Sequence, residues 1–227
     1  MIKAVIFDMF ETLITHFKSP LYFGAQIAED MGVPEKKFRE IWDPTDYART
    51  IGQMTLEEVL EQILRASDKY DPELVQMIAD KRTKAKVECF HHLHEEIVPM
   101  FEELKKQGYK VGLISNCYFE EATVIKDSVL WQYFDVAFLS CEQGVAKPEK
   151  EIFYRCIAEL GVKPEECLYV GDGGSQELET AKEFGMKPLQ AVWYLQQGSK
   201  QPSWRKPEFL QAESPMEILN HLERGIE

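Results

Sequence analysis

The sequence has no two cysteines in CxxC spacing, and its five cysteines (Cys89, Cys117, Cys141, Cys156, Cys167) are odd in number. That argues against a disulfide framework or a structural zinc site, and reduced thiols in a cytoplasmic protein are expected. Basic residues are scarce: 26 Lys and Arg stand against 39 Asp and Glu, for a formal net charge of -13. Nucleic acid and anionic membranes need clustered cations, so neither is an expected partner. No apolar run approaches the length of a membrane span, and the opening MIKAVIFDMF meets an acid at Asp8, too early for a signal peptide.

What is present is enough apolar material, 44% of 227 residues, for one core carrying a smaller insert. Four short runs read as strands buried on both faces: Ala4–Phe7, Val111–Ile114, Val136–Leu139 and Leu168–Val170, with a weaker fifth at Leu189–Trp193. Helical spacing appears between them at Pro99–Lys106, Glu149–Leu160 and Ser175–Phe184, each followed by glycine within two residues. Strands alternating with helices imply βαβ units, hence an α/β fold with a doubly wound parallel sheet. From Ser19 to His94 only helix patterns occur: Pro20–Met31, Glu35–Trp42, Thr55–Ala66 and Glu73–Phe90, with Thr55 and Glu58 spaced as a capping box. The expected division is a Rossmann-like core over residues 1–18 and 95–227 and a helical cap over 19–94. The polar stretch Gln196–Gln211 reads as a surface loop before a last helix near Met216–Leu222.

The strand ends carry the chemistry. Phe7 is followed by Asp8, the second strand by Ser115-Asn116, the third by a loop to Lys147-Pro148, and the fourth by Gly171-Asp172-Gly173-Gly174-Ser175-Gln176-Glu177. Ligands of open parallel sheets bind outside the carboxyl ends of the strands, so these groups converge on one crevice. Asp8 can act as an in-line nucleophile on a phosphoryl group. Asp8, Asp172 and Glu177 can hold a hard cation, for which magnesium is the natural choice. Lys147 supplies fixed positive charge and Ser115 a hydrogen-bond donor. Gly173 and Gly174 permit a tight turn.

The ordered set Asp8…Thr12, Ser115-Asn116, Lys147-Pro148 and Gly171-Asp172…Glu177 resembles the four-motif signature of the haloacid-dehalogenase-like superfamily, and the inserted helices resemble its cap. The resemblance implies an aspartyl-phosphate on Asp8 and magnesium positioned by Asp8, the main-chain carbonyl of Phe10, Asp172 and Glu177. It further implies substrate contacts from Thr12, Ser115, Asn116 and Lys147, with a small phosphorylated metabolite as substrate.

Three positions depart from that pattern, one of them Glu177, which stands where an aspartate is usual and reaches one methylene further. Phe10 stands where family phosphatases carry an acid–base aspartate, which removes a proton-transfer contribution of roughly 10²- to 10⁴-fold. Phosphate hydrolysis is the first reading, metal-free dehalogenation on the same aspartate the second, and phospho-ligand binding without turnover the third. Glu11 replaces the family's glycine, and nothing in the sequence explains it. Some features also have plain structural readings. Ser115-Asn116 has a secondary reading as a helix N-cap, while the tract His91, His92 and His94 reads first as solvated linker residues and Cys117 as a buried thiol.

Overall fold

The computed structural model describes residues 1–195 and 203–223. Strand β1 (Ala4–Phe7) is buried along its whole length. Successive side chains alternate across a strand: Val5 and Phe7 enter one apolar cluster, Ala4 and Ile6 another on the opposite face. The sheet is completed by β2 (Lys110–Ser115), β3 (Val136–Leu139), β4 (Cys167–Gly171), β5 (Lys187–Ala191) and β6 (Leu210–Ala212). All pairings are parallel, in the order β3-β2-β1-β4-β5-β6.

This order makes β1 the switch point. The chain winds outward through β2 and β3, then returns to the other side of β1 with β4. Phe7 is level with Leu113 of β2 and Val170 of β4, which run on by two residues and by one, so the three strands end within two residues of one another. A crevice opens above them, as expected where strand order reverses.

Between β1 and β2 the first five α-helices form an insert: α1 (Gly24–Asp30), α2 (Glu35–Trp42), α3 (Asp46–Thr50), α4 (Leu56–Ala66) and α5 (Pro72–Cys89). They carry an apolar cluster of their own, including Ile27, Phe38, Leu60, Ile63 and Ile78. Thr55 and Glu58 make both hydrogen bonds of the capping box that starts α4. Helix α5 changes character along one face. Val75 and Ile78 feed the insert's cluster, whereas Arg82 and Lys86 are buried against Glu120 and Glu121 of the core.

The remaining helices cover the sheet: α6 (Ile97–Lys106), α7 (Phe119–Asp127), α8 (Ser140–Gln143), α9 (Lys150–Leu160), α10 (Glu177–Glu183) and α11 (Glu217–Glu223). Residues of α6, α7 and α11 pack on the Val5 face, those of α9 and α10 on the Ile6 face. At the junction of insert and core, the Ser140 hydroxyl donates to the Thr50 carbonyl (2.7 Å) and the Tyr47 hydroxyl to Glu149 (2.9 Å). Gly52, at φ 73°, lies so close to the Cys141 carbonyl that no Cβ fits.

Several sequence expectations need correction. The fifth strand starts at Lys187, takes in Pro188 and stops at Ala191. The stretch read as loop runs at its end into β6, a three-residue strand too short to show a pattern; its residues 196–202 lie outside the described part of the chain. Helices α3, α7 and α8 carried no recognised signal. Helix α10 begins at Glu177 rather than Ser175, because Ser175 and Gln176 adopt φ values of 50° and 52°.

Candidate active site

Asp8 follows β1 without a break, and its amide donates to the Val170 carbonyl (2.9 Å), extending the pairing with β4 by one residue. One carboxylate oxygen accepts from the Thr12 hydroxyl (3.4 Å) and the other from Lys147 Nζ (2.5 Å). Lys147 is buried and also donates to Glu177 (2.5 Å) and to the Tyr169 hydroxyl (3.3 Å). Burial lowers the affinity of its ammonium for a proton, but Asp8 and Glu177 outweigh burial and raise it, so Lys147 stays charged.

Asn116 fixes the loop that presents this lysine. Its amide donates to the Lys147 carbonyl (2.8 Å) and accepts from the Lys147 amide (2.8 Å). The plain N-cap reading fails, since the N-cap of α7 is Tyr118. The Ser115 hydroxyl, at the end of β2, is fully buried and has no hydrogen-bond partner among the described residues. A buried hydroxyl without a partner is costly.

The acids crowd. Ligand atoms of Asp8, Asp172 and Glu177 lie within 4.8 Å of one another. Burial first, and the charge of Asp8 second, push Asp172 up to about 6 and also raise Glu177. Three buried carboxylates therefore face one ammonium. Glu177 is the most committed: one oxygen accepts from Lys147 and Tyr169, the other from the Gly173 amide (3.2 Å). Its carboxylate occupies the place a Cβ at residue 171 would take, which only glycine leaves open. Gly173 turns at φ 97°, while Gly174 is not left-handed, so the turn runs through Gly173, Ser175 and Gln176.

A cleft of about 290 Å³ is lined by Asp8, Phe10, Asn116, Lys147, Asp172 and Glu177. Four motifs thus meet at one sheet edge, and comparison with known proteins gives the same answer. The family described as haloacid dehalogenase-like hydrolase matches residues 2–185. The chain belongs to the haloacid dehalogenase-like hydrolases. It is 38% identical over 87 residues to the Rhythmically expressed gene 2 protein of Drosophila melanogaster, a match covering 37% of this chain and about a third (34%) of the fly protein. It is 28% identical over 199 residues to the glyceraldehyde 3-phosphate phosphatase of Methanopyrus kandleri, covering 82% of each. Its fold is shared with 2-haloacid dehalogenase from Pseudomonas syringae pv. Tomato DC3000, at TM-score 0.70 and 23% identity over 99% of this chain and 100% of that one.

Within this hydrolase the structure also reveals groups that sequence reasoning missed. The Ser203 hydroxyl donates to one oxygen of Asp172, whose other oxygen accepts from the Gly174 amide (2.9 Å). Gln190, fully buried, donates to the Asp172 carbonyl (2.8 Å) and ties that loop to Trp204. Neither carries a motif, because each acts from a segment far along the chain. Glu11 now has an explanation: at φ 58° it occupies the left-handed conformation that glycine suits. Its carboxylate offsets that strain by accepting from the Thr15 hydroxyl (2.6 Å) and the His16 amide (3.0 Å) and by pairing with the His16 ring (3.1 Å). That imidazole stacks on Phe10, with centroids 4.9 Å apart.

The remaining candidates are structural. His91 and His92 are exposed and pair with Glu88. All five cysteines are free and buried, and contact with Cys141, then burial, holds the Cys117 thiol well above its ordinary range. No helix among the described residues is long and apolar enough to cross a membrane.

Proposed function

We propose that this protein is a magnesium-dependent phosphohydrolase that transfers the phosphoryl group of a small phosphorylated metabolite to Asp8 and then to water. The observation that carries the reading is the charge imbalance of the crevice, three buried carboxylates against Lys147, beside the unpartnered hydroxyl of Ser115. A dry crevice holding that much negative charge is stable only with a cation or with protons. The donor set suits magnesium, which favours carboxylate and carbonyl oxygens and retains waters. Asp8, Asp172 and the main-chain carbonyl of Phe10 would hold it. Glu177, already engaged by three donors, serves chiefly to hold Lys147. When bound, the cation neutralises phosphoryl charge and orients the group for in-line attack.

The protein's own residues account for the rest. An oxygen of Asp8 attacks phosphorus, the ester P–O bond breaks, and the leaving alkoxide takes its proton from water. Ser115 donates to a phosphoryl oxygen, and Lys147 keeps Asp8 aimed. Thr12 and Asn116 shape the substrate-facing loops, Asn116 by locking Lys147 in position. Water then attacks the acyl phosphate and restores the Asp8 carboxylate. Residues 19–94 act as a cap that shields this exchange from bulk solvent. The cytoplasm, with its reducing conditions, suits five free thiols.

Phe10 favours a second reading, metal-free dehalogenation on Asp8, because it leaves no acid–base aspartate two residues after the nucleophile. For a phosphatase the same gap predicts preference for good leaving groups, aryl or acyl phosphates over alkyl ones. The test compares aryl phosphate hydrolysis with and without magnesium, in wild type and Asp8→Asn. Magnesium-dependent release that is lost in the variant supports the proposal. Halide release from a 2-haloacid, without phosphate release, would replace it with the second reading.

A further inference from the structure

Asp172 is held at both carboxylate oxygens by segments that lie far apart in the chain. The Gly174 amide donates to Oδ1 (2.9 Å) from the turn that follows β4, and the Ser203 hydroxyl donates to Oδ2 from 31 residues further on. Both Asp172 and Ser203 are buried. Ser203 and its support Gln190 lie beyond residues 2–185, the part that matches the family, so the shared motifs do not include this contact.

The segment that carries Ser203 is fixed to the sheet. Gln190 of β5 is fully buried and lies beside Gly171 of β4. Its side-chain nitrogen donates to the carbonyls of Asp172 (2.8 Å) and Trp204 (2.7 Å). Its oxygen accepts from the Lys206 amide (2.8 Å) and the Gln211 side chain (3.2 Å). Every donor and acceptor of that amide is thus used. The Lys206 stem crosses Gly173, where a Cβ would come within 3.2 Å of it, and its ammonium pairs with Glu179 (2.5 Å).

A carboxylate offers about four lone-pair positions, and these two donors take one on each oxygen, leaving one on each for a cation. Donors at opposite oxygens also fix the plane of the carboxylate, which the side chain's own torsions leave broad. The type of donor matters as well. Asp8 is oriented by an ammonium, which repels a metal ion, whereas a neutral hydroxyl orients Asp172 without opposing one.

We infer that Ser203 is a positioning residue for the cation site: it holds the Asp172 carboxylate in the orientation that binds magnesium, and Gln190 holds Ser203. The inference rests on the magnesium-dependent reading and adds to it a determinant supplied by the segment between β5 and β6.

The test titrates magnesium chloride into protein freed of metal and follows the rise in melting temperature, which reports binding without turnover. Ser203→Ala should need about ten- to a hundredfold more magnesium than wild type for the same rise, the usual cost of losing an outer contact to a metal ligand. Ser203→Thr keeps the hydroxyl and should recover most of that loss. Arg205→Ala, which breaks the exposed bonds to Glu213 from the same segment, should bind magnesium as wild type does. Wild-type affinity in Ser203→Ala, or an equal loss in Arg205→Ala, overturns the inference while leaving the magnesium reading intact. A wild type that gains no stability from magnesium overturns both. Coupling is reciprocal, so bound magnesium must in turn tighten the contact with Ser203. Amide hydrogen exchange of residues 203–206 in the wild type should therefore slow when magnesium is added. Unchanged exchange there, in protein whose melting temperature magnesium does raise, contradicts the inference without recourse to any variant.

Discussion

Removing the charge of Asp172 should make the metal-free protein more stable, although the residue sits at the centre of the site. Burial and Asp8 move this carboxyl from 3.8 to about 6 in the folded state. Its folded value exceeds its unfolded one, so the folded protein binds that proton more tightly. The ionisation penalty is absent below about pH 3.8, grows as pH rises, and is complete above about pH 6. At 1.36 kcal/mol per pKa unit the penalty is about 3 kcal/mol. Asparagine escapes it but forms weaker hydrogen bonds with Ser203 and Gly174 than a carboxylate does. The net gain for Asp172→Asn is therefore about 1–3 kcal/mol, or roughly 2–12 °C in melting temperature for a chain of this size. The assay is thermal unfolding of both proteins in EDTA, at about pH 4 and about pH 7.5. The variant should melt higher at the upper pH, with the gap shrinking at the lower. Added magnesium should then raise the wild type and leave the variant unmoved. A variant that melts at or below wild type at the upper pH would refute the account of an overcharged crevice.

Lys147→Met strips from Asp8 and Glu177 the only cation that pairs with them among the described residues and should cost about 3–5 kcal/mol, as expected when one partner of a buried ion pair is removed; denaturant unfolding measures it, and a loss under about 1 kcal/mol contradicts the pairing. Glu11→Ala should be less stable than Glu11→Gly by about 1 kcal/mol, because both lose the bonds to Thr15 and His16 but only alanine keeps the left-handed strain. Equal stability of the two would show that the backbone is relaxed there. Burial pushes Glu121 up, but Lys86 and Arg82 prevail and hold it at about 2. Its stabilisation is complete above an unfolded value near 4.5 and is lost as pH falls toward about 2. Acid titration followed by tryptophan fluorescence should show the insert loosening from the core in that window, and Glu121→Gln should remove the step.

The core of this fold was legible because its strands are buried on both faces: AVIF, VGLI, VAFL and LYV carry no polar alternation, and all but VAFL are followed within two residues by a candidate site residue. The crevice followed from the same fact, since strand ends in such sheets share one edge. What stayed hidden depends on distance along the chain. Ser203 reaches Asp172 from 31 residues away. β6 has only three residues and no periodicity. Helix α7 was masked by its charged start, Phe119-Glu120-Glu121, whose acids are used at the junction with the insert rather than by solvent. Glu11 was visible as an oddity, but its meaning required a backbone angle.

The central claim is that Asp8 accepts the phosphoryl group. Protein mixed with magnesium and an aryl phosphate, quenched in acid within the turnover time and digested, can be searched by mass for the peptide containing Asp8. The account predicts that this peptide gains the mass of one phosphoryl group, that no other peptide does, and that Asp8→Asn abolishes both the adduct and phosphate release. Phosphate release that persists in Asp8→Asn, or an adduct on any other residue, would contradict it.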